Sequence, residues 1–113
     1  MLNFERLLVW QKAISYAEIL VRIADSLPQK YQYSFADQLR RAALSVPSNI
    51  AEGAGRQSQR DRSNFYAIAK GSVYETVNIV KLLEKLEGIR EFEFDKVYLL
   101  AEEICKMLYG LAK

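Results

Sequence analysis

The stretch Gln38-Leu39-Arg40-Arg41-Ala42-Ala43-Leu44-Ser45-Val46-Pro47-Ser48-Asn49-Ile50-Ala51-Glu52-Gly53 decides how the chain folds. Phe35, Leu39, Ala42, Val46 and Ile50 recur at intervals of three and four, the period of a helix with one buried face. Strict alternation, which a half-buried strand needs, is missing. Ser34 offers an N-cap with Asp37 three residues on, a capping-box-like pair. Gly53 and Gly55 are expected to end the helix. Pro47 falls in its middle. A proline there removes one backbone donor and crowds the carbonyl of Ala43, so a kink at Pro47 is expected. The spacing predicts a helix over 35–54.

Similar patterns flank it on both sides. Over 7–26, Gln11, Ser15, Glu18, Arg22 and Asp25 draw one polar stripe, and nearly everything else is apolar. That arc is wider than a surface helix needs. Leu27-Pro28 closes the helix, because a residue before proline leaves the helical region. Over 59–87, Ser58 is a cap with Asp61 three residues on, and Phe65, Ala69, Ser72, Thr76, Ile79, Leu83 and Leu86 repeat with helical spacing. Gly71 lies inside, where glycine costs about 1 kcal/mol relative to alanine; a close helix contact is expected to offset it. Gly88-Ile89 suggests a left-handed glycine ending. Over 92–112, Phe94, Val97, Ala101, Ile104, Leu108 and Leu111 form the stripe. Glu91, Glu93 and Asp95 gather at its start, where the helix dipole favours negative charge. Four such helices on short loops predict an all-α, antiparallel up-and-down four-helix bundle, one domain over residues 1–113.

Composition excludes several classes. The chain has 113 residues, a formal charge of +2, one cysteine and no histidine. Without histidine, the commonest general base and metal ligand is missing. Cys105 can form no intrachain disulfide, which fits a reducing cytoplasm. Charges interrupt every apolar run, so no membrane span is expected. Met1 to Val9 carries Glu5 and Arg6 and does not read as a secretory signal.

The second helix resembles the signature of a bacterial family, the four-helix bundle or 23S rRNA-intervening sequence protein family. The resemblance rests on residues 38–43 and 45–53, with Val9-Trp10-Gln11-Lys12-Ala13 in the first helix. Ile68-Ala69-Lys70-Gly71-Ser72 and Glu75 in the third add to it. It covers nearly the whole chain. It implies a four-helix bundle assembled as a homopentamer, and no established activity. A related protein, the accessory variability determinant of diversity-generating retroelements, is similar in fold and assembly. It has a basic surface and works beside a reverse transcriptase and its RNA. A pentamer suits the wide apolar arc of the first helix, with Tyr16, Ile19 and Ile23 as candidate interface residues. The alternative is that this arc is wholly intramolecular core.

Charge is segregated along the chain. Residues 38–70 hold Arg40, Arg41, Arg56, Arg60, Arg62 and Lys70 against Glu52 and Asp61, six minus two or +4, which leaves −2 for the rest. Gln57, Ser58, Gln59, Ser63 and Asn64 lie among the arginines as phosphate donors. One reading is a sequence-nonspecific nucleic-acid surface. The other is a solvated loop whose arginines pair with nearby acids. Tyr31, Tyr33, Phe35, Phe65 and Tyr66 could stack on bases or cap the bundle ends.

No constellation for catalysis is visible. Ser45, Ser48, Asn49 and Glu52 share one helix face, but a serine without a base is a poor nucleophile. The cluster is read as structural, bonding to backbone freed by Pro47 and to an adjacent helix. Cys105 is read as a small hydrophobe. Glu102 and Glu103 lack the histidines of a carboxylate di-metal bundle. No metal or cofactor is expected. The expected function is a non-enzymatic, homo-oligomeric bundle that binds RNA or DNA through its basic surface. The alternative is a scaffold for a protein partner.

Overall fold

The computed structural model describes residues 1–87 and 91–112, with side chains for all of these but 87 and 91–93. Four helices carry the chain: α1 (Leu8–Ser26), α2 (Phe35–Ala54), α3 (Gln59–Glu87) and α4 (Glu91–Ala112). The expected spans agree to within a residue. Two single turns of 3-10 helix, Asn3–Arg6 and Gln29–Tyr31, were not expected from periodicity. The Gly88-Ile89 ending and the side chains of Glu91 and Glu93 lie outside the described residues.

α1 contacts α2, α2 contacts α3, α3 contacts α4, and α4 returns to α1, which closes a four-helix bundle. The ion pair of Lys12 with Glu103 lies on the α1–α4 seam. Each helix supplies its apolar stripe to one core, including Leu20, Leu39, Val46, Ile50, Leu83, Ile104 and Leu108. Across the middle, the Tyr16 hydroxyl lies 2.7 Å from Thr76 Oγ1. Thr76 itself donates to the Val73 carbonyl at 2.6 Å, so Tyr16 is the donor to Thr76. Burial pushes the Tyr16 hydroxyl up to about 12.

That pair corrects one expectation. Tyr16 is wholly buried and Ile23 nearly so inside the chain's own bundle. Neither can face a neighbouring subunit. Ile19 is half-buried and packs against the same core. The apolar arc of α1 is wide because it meets α2 and α4 at its flanks and reaches α3 across the middle.

The helix ends follow local chemistry. Leu27 is extended before Pro28 and stops α1. Gln32 then donates to the carbonyls of Ala24 and Leu27, both at 2.9 Å, and so satisfies acceptors that the helix end leaves open. At α3, Ser58 Oγ accepts the Asp61 amide at 3.1 Å, the expected cap. The expected Ser34 cap of α2 does not form: its side chain makes no capping bond and its hydroxyl turns back to the Tyr31 carbonyl. Asp37 instead pairs with Arg41 at 3.1 Å.

α2 continues through Pro47 without interruption. Gly55 caps α2 as expected, while Gly53 lies in its last turn and takes the close contact expected of Gly71. A Cβ on Gly53 would lie 2.9 Å from Phe65 Cβ and 2.9 Å from a ring carbon of Tyr66. Gly71 is exposed, and a Cβ on it would meet nothing within 4 Å. The close α2–α3 approach is therefore at Gly53. No described helix is long and apolar enough to cross a membrane.

Candidate functional site

The structure divides the basic residues into groups. Arg40 and Arg41 lie near the start of α2, and Arg56, Arg60 and Arg62 lie beyond its end. Sixteen residues of rise separate Arg40 from Arg56, on the order of 24 Å. The charge that is continuous along residues 38–70 thus reaches opposite ends of the bundle.

At the first end the arginines have partners. Arg40 donates through Nε to Asp25 Oδ1 at 3.0 Å, and its terminal nitrogen lies 2.9 Å from the same oxygen. It also donates to the Gln32 side-chain oxygen. Because Gln32 closes the end of α1, Arg40 fastens the α1–α2 connection. Tyr31 and Phe35 pack together there with ring centroids 5.4 Å apart.

At the second end the arrangement is looser. Arg56 approaches Glu52 at 3.5 Å and lies over the Phe65 ring at 4.7 Å. Arg62 donates to the carbonyls of Arg56 and Gln57 at 3.0 and 2.7 Å and to Gln59 Oε1 at 3.0 Å. It has become the staple of the α2–α3 loop. Arg60 is exposed and forms no ion pair with a described residue. Tyr66 is buried against Gly53 and Phe65 half-buried, so these rings build the bundle end. Tyr33, at the other end, is 89% exposed.

Lys70 belongs to neither end. It lies on α3 with its ammonium 5.8 Å from the Tyr74 ring centroid and 5.9 Å from that of Tyr109 on α4. Eleven residues further along α3, Lys81 lies 5.2 Å from the Tyr98 ring centroid and 5.3 Å from that of Phe94. This lysine–aromatic face was missed because, Phe94 apart, its residues sit outside the buried stripes. The four-residue steps Lys70–Tyr74 and Phe94–Tyr98 were the available signal.

The polar cluster of α2 is structural in its bonding. Ser45 Oγ lies 2.7 Å from Ser72 Oγ of α3 and accepts from Asn49 Nδ2 at 2.9 Å. Asn49 Nδ2 also donates to the Ser45 carbonyl at 2.8 Å. The expected repair at Pro47 differs in its target: the carbonyl deprived by Pro47 is that of Ala43, and Asn49 serves Ser45 instead. Neither neighbour of Ser45 is a base, and Glu52 is turned to Arg56. Cys105 is half-buried in the α3–α4 groove; burial pushes its thiol up, with Lys70 acting in the opposite sense. Glu103 pairs with Lys12. No group of three or more metal-ligating side chains exists among the described residues.

Comparison with known proteins places the chain. It is similar to a protein of unknown function from the S23 ribosomal protein family of Bacteroides thetaiotaomicron VPI-5482, known from its crystal structure. The two share 25% identity and superpose with a TM-score of 0.85, over 94% of this chain and 99% of that one. No curated protein sequence matches. Residues 5–110 match the family described as 23S rRNA-intervening sequence protein. With the fold and nearly the whole length in agreement, the chain belongs to the 23S rRNA-intervening sequence protein family.

Proposed function

We propose that the chain is a non-enzymatic, self-assembling bundle that binds nucleic acid without sequence preference through the α2–α3 end. The supporting observation is the grouping of Arg56, Arg60 and Arg62. Residues 52–64 contain these three arginines against Glu52 and Asp61, a net of three minus two or +1. Arg60 is free to meet a phosphate, and Arg56 is held by one long, solvent-exposed ion pair of little energetic worth. Arg40 is left out of this surface because Asp25 and Gln32 hold it, and Arg41, which stays exposed beside Asp37, because it lies toward the opposite end of α2.

Self-assembly is supported by large apolar side chains at the surface. Leu44 is 65% exposed beside Ala17 and Val21, and Leu99 is 68% exposed on α4. The homopentamer implied by the family resemblance would present the arginine end five times and multiply its avidity. The setting is the reducing cytoplasm, where Cys105 stays a thiol. The same exposed leucines favour a second reading, a scaffold for another polypeptide.

The test is titration of a labelled RNA duplex at several salt concentrations. The expected result is steep salt dependence. In Arg56→Ala/Arg60→Ala/Arg62→Ala the salt slope falls by about one per arginine and affinity falls on the order of 100-fold at 0.1 M salt. Arg60→Glu is the companion variant that spares the loop staple. Absence of binding at 50 mM salt, with a polypeptide partner recovered stably, replaces this reading with the scaffold.

A further inference from the structure

An open groove of about 370 Å³ runs between α3 and α4. Val77, Ala101 and Cys105 form its apolar lining, with Tyr74 and Tyr98 beside them. Tyr74 is 63%, Tyr109 59% and Tyr98 39% exposed. A lysine stands toward each end, within 6 Å of two aromatic rings: Lys70 between Tyr74 and Tyr109, and Lys81 between Tyr98 and Phe94. Neither lysine forms an ion pair with a described residue. Glu102 lines the groove, and Lys70 and Lys81 flank it. Eleven residues of α3 separate the lysines, on the order of 16 Å.

We infer that this face binds single-stranded nucleic acid, with the tyrosines stacking on bases and Lys70 and Lys81 holding phosphates. The inference rests on the nucleic-acid reading above and adds a strand class and a second contact surface to it. The chemistry is that of single-strand binding in general: aromatic rings accept any base on their faces, and interleaved cations follow the backbone. Each ammonium is already 5.2 to 5.9 Å from a ring centroid. A phosphate held by the lysine therefore brings its base within reach of that ring. A second copy of the chain fits the face less well, because the cores of protein interfaces are depleted of lysine even where they are rich in tyrosine. A duplex fits less well too, since its bases are stacked on one another and offer no free faces.

The experiment uses the full chain with two fluorescent probes, a 12-nucleotide oligouridylate and a 12-base-pair RNA duplex, at 50 mM salt. Tyr74→Ala/Tyr98→Ala is expected to weaken oligouridylate binding roughly tenfold per ring and to leave duplex binding unchanged. Tyr74→Phe/Tyr98→Phe keeps the rings and is expected to keep the affinity. Lys70→Gln/Lys81→Gln lowers the salt slope for the oligouridylate. Thermal unfolding checks that the variants fold, as the exposure of both tyrosines leads one to expect. If the duplex binds through the arginines while the alanine variant holds oligouridylate as well as the parent, this inference fails and the reading above stands. If neither probe binds, both fail. If the alanine variant changes the sedimenting mass and not the affinity, the face is an interface between copies and the inference is overturned.

Discussion

At the N-terminal end of α2, Arg40 is bound to Asp25 and Gln32, and Arg41 to Asp37. At its C-terminal end, Arg60 stands in solvent and Arg62 is turned onto the backbone of the loop. An arginine thus closes the helix connection at each end, Arg40 at one and Arg62 at the other, and only the second end adds an arginine, Arg60, without an ion pair to a described residue. What decides the difference is the company each arginine keeps. The first end collects the carboxylates of two helices, Asp25 and Asp37. The second has Glu52 at 3.5 Å from Arg56, while the Asp61 carboxylate forms no ion pair with a described residue and Asp61 serves the α3 cap through its backbone amide alone.

The largest expected effect that sharpens this contrast is at Gly53, which sets the loop end. In Gly53→Val the new Cβ meets Phe65 Cβ, an atom fixed by its own backbone and unable to rotate aside. We expect a loss of about 3 kcal/mol in urea unfolding, from overpacking. A loss below about 1 kcal/mol would show that α2 and α3 part easily there, and the contrast between a closed and a loop-built end would collapse.

Next comes Arg40→Ala. It removes an ion pair and the hold on Gln32, and should cost about 1 kcal/mol. Arg60→Ala, at the other end, should stay within about 0.5 kcal/mol of the parent. Equal costs would mean that the ends do not differ as their contacts indicate. The smallest effect is expected from Gly71→Ala. With an exposed site and nothing within 4 Å of the new Cβ, the helix gains stability by up to about 1 kcal/mol. A loss there, measured by thermal unfolding, would restore a tight contact at Gly71 and contradict the packing described.

Much of the fold could be read in advance, for a physical reason. A buried helix face forces a three-four rhythm on the chain, and all four rhythms are present. Proline at 28 and the serine cap at 58 mark ends by local chemistry alone. Ser34 misled because a cap needs backbone geometry as well as a hydroxyl. The glycines misled because composition gives the cost of a glycine but not the face it occupies. Gly53 faces α3 and Gly71 faces solvent. Tyr16 and Ile23 misled because an arc too wide for one neighbour can be consumed by three within a single chain. The basic segment was visible as a charge sum, but a sum along the chain ignores the length of a 20-residue helix. That length parts Arg40 from Arg56. The tyrosine–lysine face escaped because it arises between α3 and α4, and each helix shows only half of it.

The side-chain bonds at the loop end have a practical consequence. Asn3 donates to the Ala54 carbonyl at 3.1 Å, while Gln59 and Ser63 donate to the carbonyls of Leu111 and Ala112 at 3.3 and 3.0 Å. Residue 3 and residue 112 are therefore moored to the same end of the bundle, beside Arg56, Arg60 and Arg62. An affinity tag on either side of this sequence hangs over the arginines, and an acidic one would compete for them. The same convergence lets a short linker join residue 112 to residue 3, with new ends opened at the Gln29–Tyr31 turn. Such a circular permutant would carry its handle at the far end and leave the arginines unobstructed.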